Sequence, residues 1–471
     1  MQLVKLITSK RINTLAAISS IVLLTPVSTY AQDNSPYSRF GIGDLAPKTH
    51  VVNRAMGGIS AAYADFISIN YNNPASYASF QAFTETKSKK LQSGRAILDI
   101  GVNYDNRAIQ EPGNATKFAS NNIFFSYLQM GVPLKAGWGL TFGLRPISRI
   151  NYKILSSTRL VNPLPPFNLI DSTQTLYEGT GGTYRANIGT GITVFKKQKF
   201  KQEENLSIGV NAGYLFGNRD FSTRRAFVND TVTYYKANYE TRADYGNLYL
   251  DAGLQYKKPL SEKLSLTLGV TGAWAQTLNA TQDVLRQTFD YNTNGDTLQV
   301  DSVYLLANQK GKIELPSNFT VGFVLQKQMT GVKESSWLIG VDFVKENWSK
   351  YRYYGQADNL TDKTAIRVGG QFTPAPKKNY FSNVTYRFGF FTGKDYVSTT
   401  GSRLKNMGGT FGLALPVGNY GQFSRTQYSV VNLAFEYSKR GGNSNPLKEN
   451  LFRISAGFSL SDLWFGKRKY D

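Results

Sequence analysis

From Leu451 to Leu460 the chain alternates strictly: Phe452, Ile454, Ala456, Phe458 and Leu460 share one side of a period-2 ladder, and Arg453, Ser455, Gly457 and Ser459 share the other. Alternation of this kind marks a strand with one apolar face. The pattern recurs along most of the chain. A tilted strand of about 10 residues crosses a bilayer, whereas a helix needs about 20 apolar residues. In lipid, only helices and closed barrels satisfy every backbone hydrogen bond. The repeated ladder therefore predicts a transmembrane β-barrel.

Fourteen segments carry the pattern: about 95–105, 121–131, 137–149, 183–195, 205–215, 244–256, 263–275, 316–327, 335–345, 363–373, 381–391, 408–417, 427–438 and 450–460. The expected fold is all-β, a 14-stranded antiparallel barrel over residues 95–460. Charges within these segments fall almost wholly on the polar face: Asp99, Arg185, Asp251, Asp342, Arg367, Arg387, Glu436 and Arg453. A Lys or Arg turned to lipid at the midplane would cost about 2–4 kcal/mol, so these eight are expected to face the lumen. The second segment resists orientation, because Phe124, Phe125, Tyr127 and Leu128 populate both faces. Connections alternate long (106–120, 150–182, 216–243, 276–315, 346–362) and short (Pro133 to Ala136, Lys257 to Lys263). That parity belongs to a membrane barrel with short inner turns and long outer loops, and a soluble sandwich or propeller has no reason to show it. Alternating stretches inside the long loops, such as 298–312, are expected to extend strands beyond the membrane.

The N-terminus reads as an export signal over residues 1–31, with Lys5, Lys10 and Arg11, an apolar run from Leu15 to Val27, then Thr29-Tyr30-Ala31. Export together with a barrel implies the outer membrane of a Gram-negative bacterium. The formal charge of +22 raises the question of nucleic acid. The basic residues are spread through loops and turns and no nucleic-acid motif accompanies them. Phosphate-rich membrane lipid and lipopolysaccharide are the expected counterpart, with the short basic tail at 461–471 adding to the charge. There is no cysteine, and the one histidine, His50, stands far from any Gly-x-Ser-x-Gly elbow, which argues against an enzyme. No cofactor and no His- or Cys-built metal site is expected.

Residues 32–94 lack the ladder and are rich in small residues. A segment of this length ahead of the first strand either hangs below the barrel or folds into it as a plug. Its small residues, with Arg54 and Asp65 among them, suit packing against a polar wall, so a luminal plug is the favoured expectation.

The stretch from Met56-Gly57-Gly58 through Ala64-Asp65 to Asn70-Tyr71-Asn72-Asn73-Pro74-Ala75 resembles the N-terminal hatch of the FadL/TodX family, outer-membrane transporters of long-chain fatty acids and other hydrophobic compounds. Asn347-Trp348-Ser349-Lys350-Tyr351 and Arg387-Phe388-Gly389-Phe390 are similar to that family's C-terminal half. The resemblance implies a 14-stranded barrel with a hatch, a hydrophobic small-molecule substrate, and a kink in the third strand that opens the wall sideways. Pro146, after Arg145, would be that interruption, and Asn73, Pro74 and Ala75 would lie near the moving or ligand-touching part of the hatch. Pro146 has a plainer reading, in which the strand simply ends near Leu144 at the outer rim. Two other roles stay open: a secretion component of this fold that binds exported proteins, and a general porin.

Overall fold

The computed structural model describes residues 35–464, apart from 85–90, 162–163, 166–168, 229–234, 293–296, 330–333, 378, 400–401 and 418–426. The proposed signal at 1–31 and residues 465–471 of the basic tail lie outside the described residues.

Fourteen antiparallel strands close into a barrel. They are β1 (Leu91–Gln110), β2 (Lys117–Lys135), β3 (Trp138–Val161), β4 (Leu169–Lys199), β5 (Gln202–Val228), β6 (Lys236–Pro259), β7 (Leu264–Ala273, resuming as Gln276–Tyr291), β8 (Thr297–Leu315, resuming as Asn318–Lys327), β9 (Ser336–Glu346), β10 (Lys363–Thr373), β11 (Thr385–Thr399), β12 (Ser402–Val417), β13 (Gln427–Arg440) and β14 (Lys448–Trp464). Each pairs with its sequence neighbour, and β14 closes on β1 from Lys448↔Gln110 to Trp464↔Gly94. All fourteen expected segments are strands.

Alternate residues along the strands stand bare on the outside. Leu268 and Val270 of β7, Phe319, Val321 and Phe323 of β8, Ile339 and Phe343 of β9, and Phe388 and Phe390 of β11 are all exposed. A contiguous apolar belt on this scale needs acyl chains as its solvent. The opposite positions, among them Asp99, Asp342, Ser455 and Ser459, are buried.

The ambiguity in β2 has a structural cause. Gly101 of β1 faces Tyr127 and Val102 faces Phe125, so Ser126 is an extra residue in a β-bulge. A bulge reverses the alternation. Ile123 and Phe125 point outward before it, Leu128 after it, and Phe124 turns inward to meet the guanidinium of Arg149 at 3.5 Å.

One side of the barrel is much taller than the other. The 31 residues of β4 are about three times what a membrane crossing needs, while the 11 of β9 match it. Above the belt, β3 to β8 continue as an outer sheet, with β6 passing from the first half of β7 to the second. The stretch 298–312 lies in that sheet as the outer part of β8.

Residues 35–84 lie against the inward faces of the strands. Their regular pieces are short: a single helical turn at Val51–Arg54 and a 3-10 turn at Pro74–Ser79. Val51, Met56, Ile59, Ile69 and Tyr77 are fully buried. This segment makes a core of its own with the wall residues Ile97, Tyr127, Val324, Leu338 and Ala434.

Candidate functional site

Asn73, Pro74 and Ala75 form a turn seated directly on wall backbone. Asn73 caps the 3-10 turn by accepting from Ala75 N at 3.1 Å, and its Nδ2 donates to Ala61 O at 2.5 Å. The turn fits only because the facing wall positions are glycine: a Cβ at Gly209 would stand 2.5 Å from Ala75 N, and one at Gly253 would overlap Asn73 Oδ1. The Tyr77 hydroxyl then donates to Asn211 Oδ1 at 3.0 Å, fixing the turn to β5.

Met56, Gly57 and Gly58 occupy a second seat on β10–β12. Gly57, with φ of +67°, lies over Gly389, where a Cβ would strike its amide nitrogen. Gly57 N donates to Thr410 Oγ1 at 2.9 Å, and Arg367 Nη1 donates to Gly58 O at 3.0 Å. Ser60 N and Ala61 N both donate to Asp342 Oδ2, at 2.6 and 2.9 Å. Arg54 lies buried at the centre, donating to Asn103 Oδ1 and Ser455 Oγ on the wall and to Thr49 O. Asp65 stays local, closing its own loop by accepting from Phe66 N and Ser68 Oγ.

The remaining sequence-predicted charges are inward. Asp99 accepts from Ser459 Oγ, the Tyr127 hydroxyl and Ile69 N, tying the wall to the leading segment. Arg185 pairs with Asp251 at 2.5 Å, and Arg453 grips Asp105 through both carboxylate oxygens at 2.6 and 2.7 Å, with Glu436 at 3.9 Å. Arg387 donates to Gln371 and Asn432. His50 is fully buried beside Ser68; burial, with Arg387 and Arg54 nearby, pushes its pKa down to about 3, so it is neutral at ordinary pH.

The wall has a seam between β2 and β3. The two strands pair from Lys135↔Trp138 only as far as Leu128↔Leu144, and beyond that they part. Pro146 stands at the parting. The β3–β4 register slips between Pro146 and Ser148, so Ile147 is a bulge residue, and β3 runs on to Val161 rather than ending at Leu144. The leading segment takes up the edge that β2 leaves: Asp44 faces Arg149, Leu45 faces Ser148, and Ala46 N donates to Ile147 O at 2.9 Å. Arg145 bends inward beneath this edge, donating to Lys48 O at 3.0 Å with its guanidinium 4.6 Å from the Tyr71 ring centroid. Beside the seam lies a cavity of about 90 Å³ with Leu45, Pro146, Ile147, Leu215 and Leu315 on one side and Arg145 and Arg185 on the other.

A cluster at the outer end was absent from the sequence reading. Asp44 pairs with Arg107 at 2.8 Å and Arg440 at 2.9 Å, and both cations also reach Glu449. Burial pushes the Asp44 carboxyl up, but the two guanidiniums outweigh it and hold it well below the usual carboxylate range. The signal was present in the parity: Arg107 continues the inward series Asp99, Asn103, Asp105 just past the expected strand end.

A family model described as BamG matches residues 10–471. No curated protein sequence matches the chain. Among solved structures, a FadL homologue from Pseudomonas aeruginosa is 11% identical, with 91% of this chain and 100% of that one covered at a TM-score of 0.53. The toluene transporters TodX of Pseudomonas putida and TbuX of Ralstonia pickettii are 16% and 12% identical, covering 90% and 89% of this chain and 99% and 98% of theirs, at TM-scores of 0.43 and 0.47. At these identities the FadL homologue shares the fold.

Proposed function

The chain belongs to the BamG family, and on that premise we propose that it is a passive channel for hydrophobic compounds in the outer membrane of a Gram-negative bacterium, with residues 32–94 as its hatch and an exit sideways into the membrane. The observation that carries the reading is the seam. It opens within the apolar belt, next to an apolar cavity, and its free edge is held by a two-residue strand rather than by a barrel neighbour. An apolar solute leaving this way keeps each CH₂ out of water, worth about 0.8 kcal/mol apiece. At about 90 Å³ the cavity takes part of an apolar chain rather than a whole long-chain fatty acid, and Ile147 and Leu215 would line that part's path to the seam. Lipid and lipopolysaccharide are the surrounding partners. The filled lumen weighs against a general porin.

The test is a lock. Leu45→Cys with Ser148→Cys places the only two cysteines of the chain at register partners across the seam. Uptake of labelled oleate or toluene by cells carrying the oxidised protein is expected to fall at least tenfold and to recover on reduction. Equal uptake in both redox states refutes lateral exit.

A second reading rests on the outer sheet. Beyond Ile313 and Glu314, which meet Tyr353 and Arg352, the outer edge of β8 has no strand neighbour among the described residues, and Leu298, Val303 and Leu305 are exposed along it. An open edge of this kind can take a strand of another protein, as a secretion component would require. Mass spectrometry of what copurifies with the barrel separates the two: an apolar small molecule supports conduction, a stoichiometric polypeptide supports partner binding.

A further inference from the structure

A second cavity, of about 160 Å³, lies between the leading segment and β10–β14 and shares Leu45, Ala46, Lys48 and Arg367 with the first. Its lining mixes apolar and polar groups and carries five inward cations: Lys48, Arg54, Lys363, Arg367 and Arg453. Lys394 shares the outward parity of Phe388 and Phe390, so its ammonium stands outside the wall, whereas Arg54 is buried against the cavity.

The carboxylates around it do not balance these charges. Lys48 and Lys363 share one acid, Glu346, at 3.0 and 3.7 Å. Arg453 is taken by Asp105 and Glu436, and Asp395 is taken by Arg440 at 2.7 Å. Asp342, across the ladder from Arg367, spends its oxygen on the amides of Ser60 and Ala61. Arg54 and Arg367 therefore have no carboxylate within ion-pair distance among the described residues. Arg54 is only 3% exposed, its other nitrogens meet neutral oxygens, and its Nε has no partner. A buried charge left without a counter-ion is costly, and guanidinium forks match the oxygens of phosphate and carboxylate.

We infer that this cavity is a binding site for a phosphate-type oxyanion, either free phosphate or a phosphate-bearing head group, held by Arg54 and Arg367. Two guanidinium forks suit a multiply charged oxyanion better than a single carboxylate. The site adjoins the seam through Leu45 and Ala46, but it rests on the unpaired guanidiniums and does not depend on the conduction reading.

Isothermal titration of the detergent-solubilised barrel with inorganic phosphate, and separately with a short-chain phosphatidic acid, tests it. Saturable binding of inorganic phosphate that weakens at least tenfold in Arg367→Gln and is unchanged in Lys394→Gln, on the outer face, supports a free-anion site. Binding of the phosphatidic acid alone, with the same dependence on the two variants, supports the head-group form. Arg54 is left intact because of its structural contacts, and heat-modifiable gel mobility checks that each variant is folded. No saturable binding of either probe, or binding unchanged by Arg367→Gln, overturns the assignment.

Discussion

Replacing Gly209 by alanine should lift the Asn73–Ala75 turn off the wall without unfolding the barrel. The added Cβ would stand 2.5 Å from Ala75 N and closer still to the Pro74 carbonyl. Both obstacles are backbone, so no side-chain rotation relieves them, and the turn must retreat by about 1 Å to restore ordinary contact. Overpacking of this sort costs about 1–3 kcal/mol. Retreat also stretches the Asn73 Nδ2 to Ala61 O and Tyr77 to Asn211 hydrogen bonds, each worth about 1 kcal/mol net. The total is about 3–5 kcal/mol, and at 1.4 kcal/mol per decade amide exchange in residues 70–80 should quicken by about 100-fold to a few thousand-fold. The ladders of β5 with β4 and β6 do not pass through the side-chain position, so their protection should hold. Gly409 is the control, since a Cβ there meets nothing within 4 Å. Exchange of residues 70–80 at the wild-type rate in Gly209→Ala would show that the glycine seat does not hold the turn.

Two further outcomes follow from buried charge. His50 has a folded pKa near 3 against 6.5 for the free side chain, so the unfolded state takes up its proton first. The stability this supplies is present above pH 6.5 and is lost as pH falls toward 3. Wild type should therefore lose about 2 kcal/mol more than His50→Gln between pH 7 and pH 5 in guanidinium unfolding, and parallel losses would contradict the burial of a neutral imidazole. Asp105→Asn leaves Arg453 with only the distant Glu436, and should destabilise the barrel in the same assay by about 3–5 kcal/mol. A loss below about 1 kcal/mol would mean that water already screens the pair.

The barrel was legible because its two constraints act locally. Lipid selects every second residue, and the lumen selects the ones between, so Phe452 and Arg453 declare their faces without reference to any distant partner. The reading failed at β2 for an equally local reason. One extra residue at Ser126 reverses the parity, and nothing in the string Phe124-Phe125-Ser126-Tyr127-Leu128 marks which residue is extra until Gly101 and Val102 are laid beside it. Strand ends were drawn short where polar outward residues replace apolar ones above the belt, which is why Arg107, Arg440 and Asp395 went unnoticed.

The interior contacts obey a different logic. Asn73 meets Gly253, and Gly57 meets Gly389, across separations of hundreds of residues, and a missing side chain carries no label saying what fills its place. The inward parity of Gly209, Gly253 and Gly389 could be read from the ladder, and so could the smallness of residues 54–64. That these two sets of small positions are complementary surfaces follows only once the barrel is closed and the leading segment lies within it. The seam is the mirror case. Pro146 announced a defect in β3, yet the defect matters because β2 stops pairing with β3 at Leu128↔Leu144 and Asp44–Leu45 takes the vacated edge, a relation among three segments that no single one contains. A wall that borrows one of its edges from the leading segment couples the position of Asp44–Leu45 to the closure of the wall at the seam.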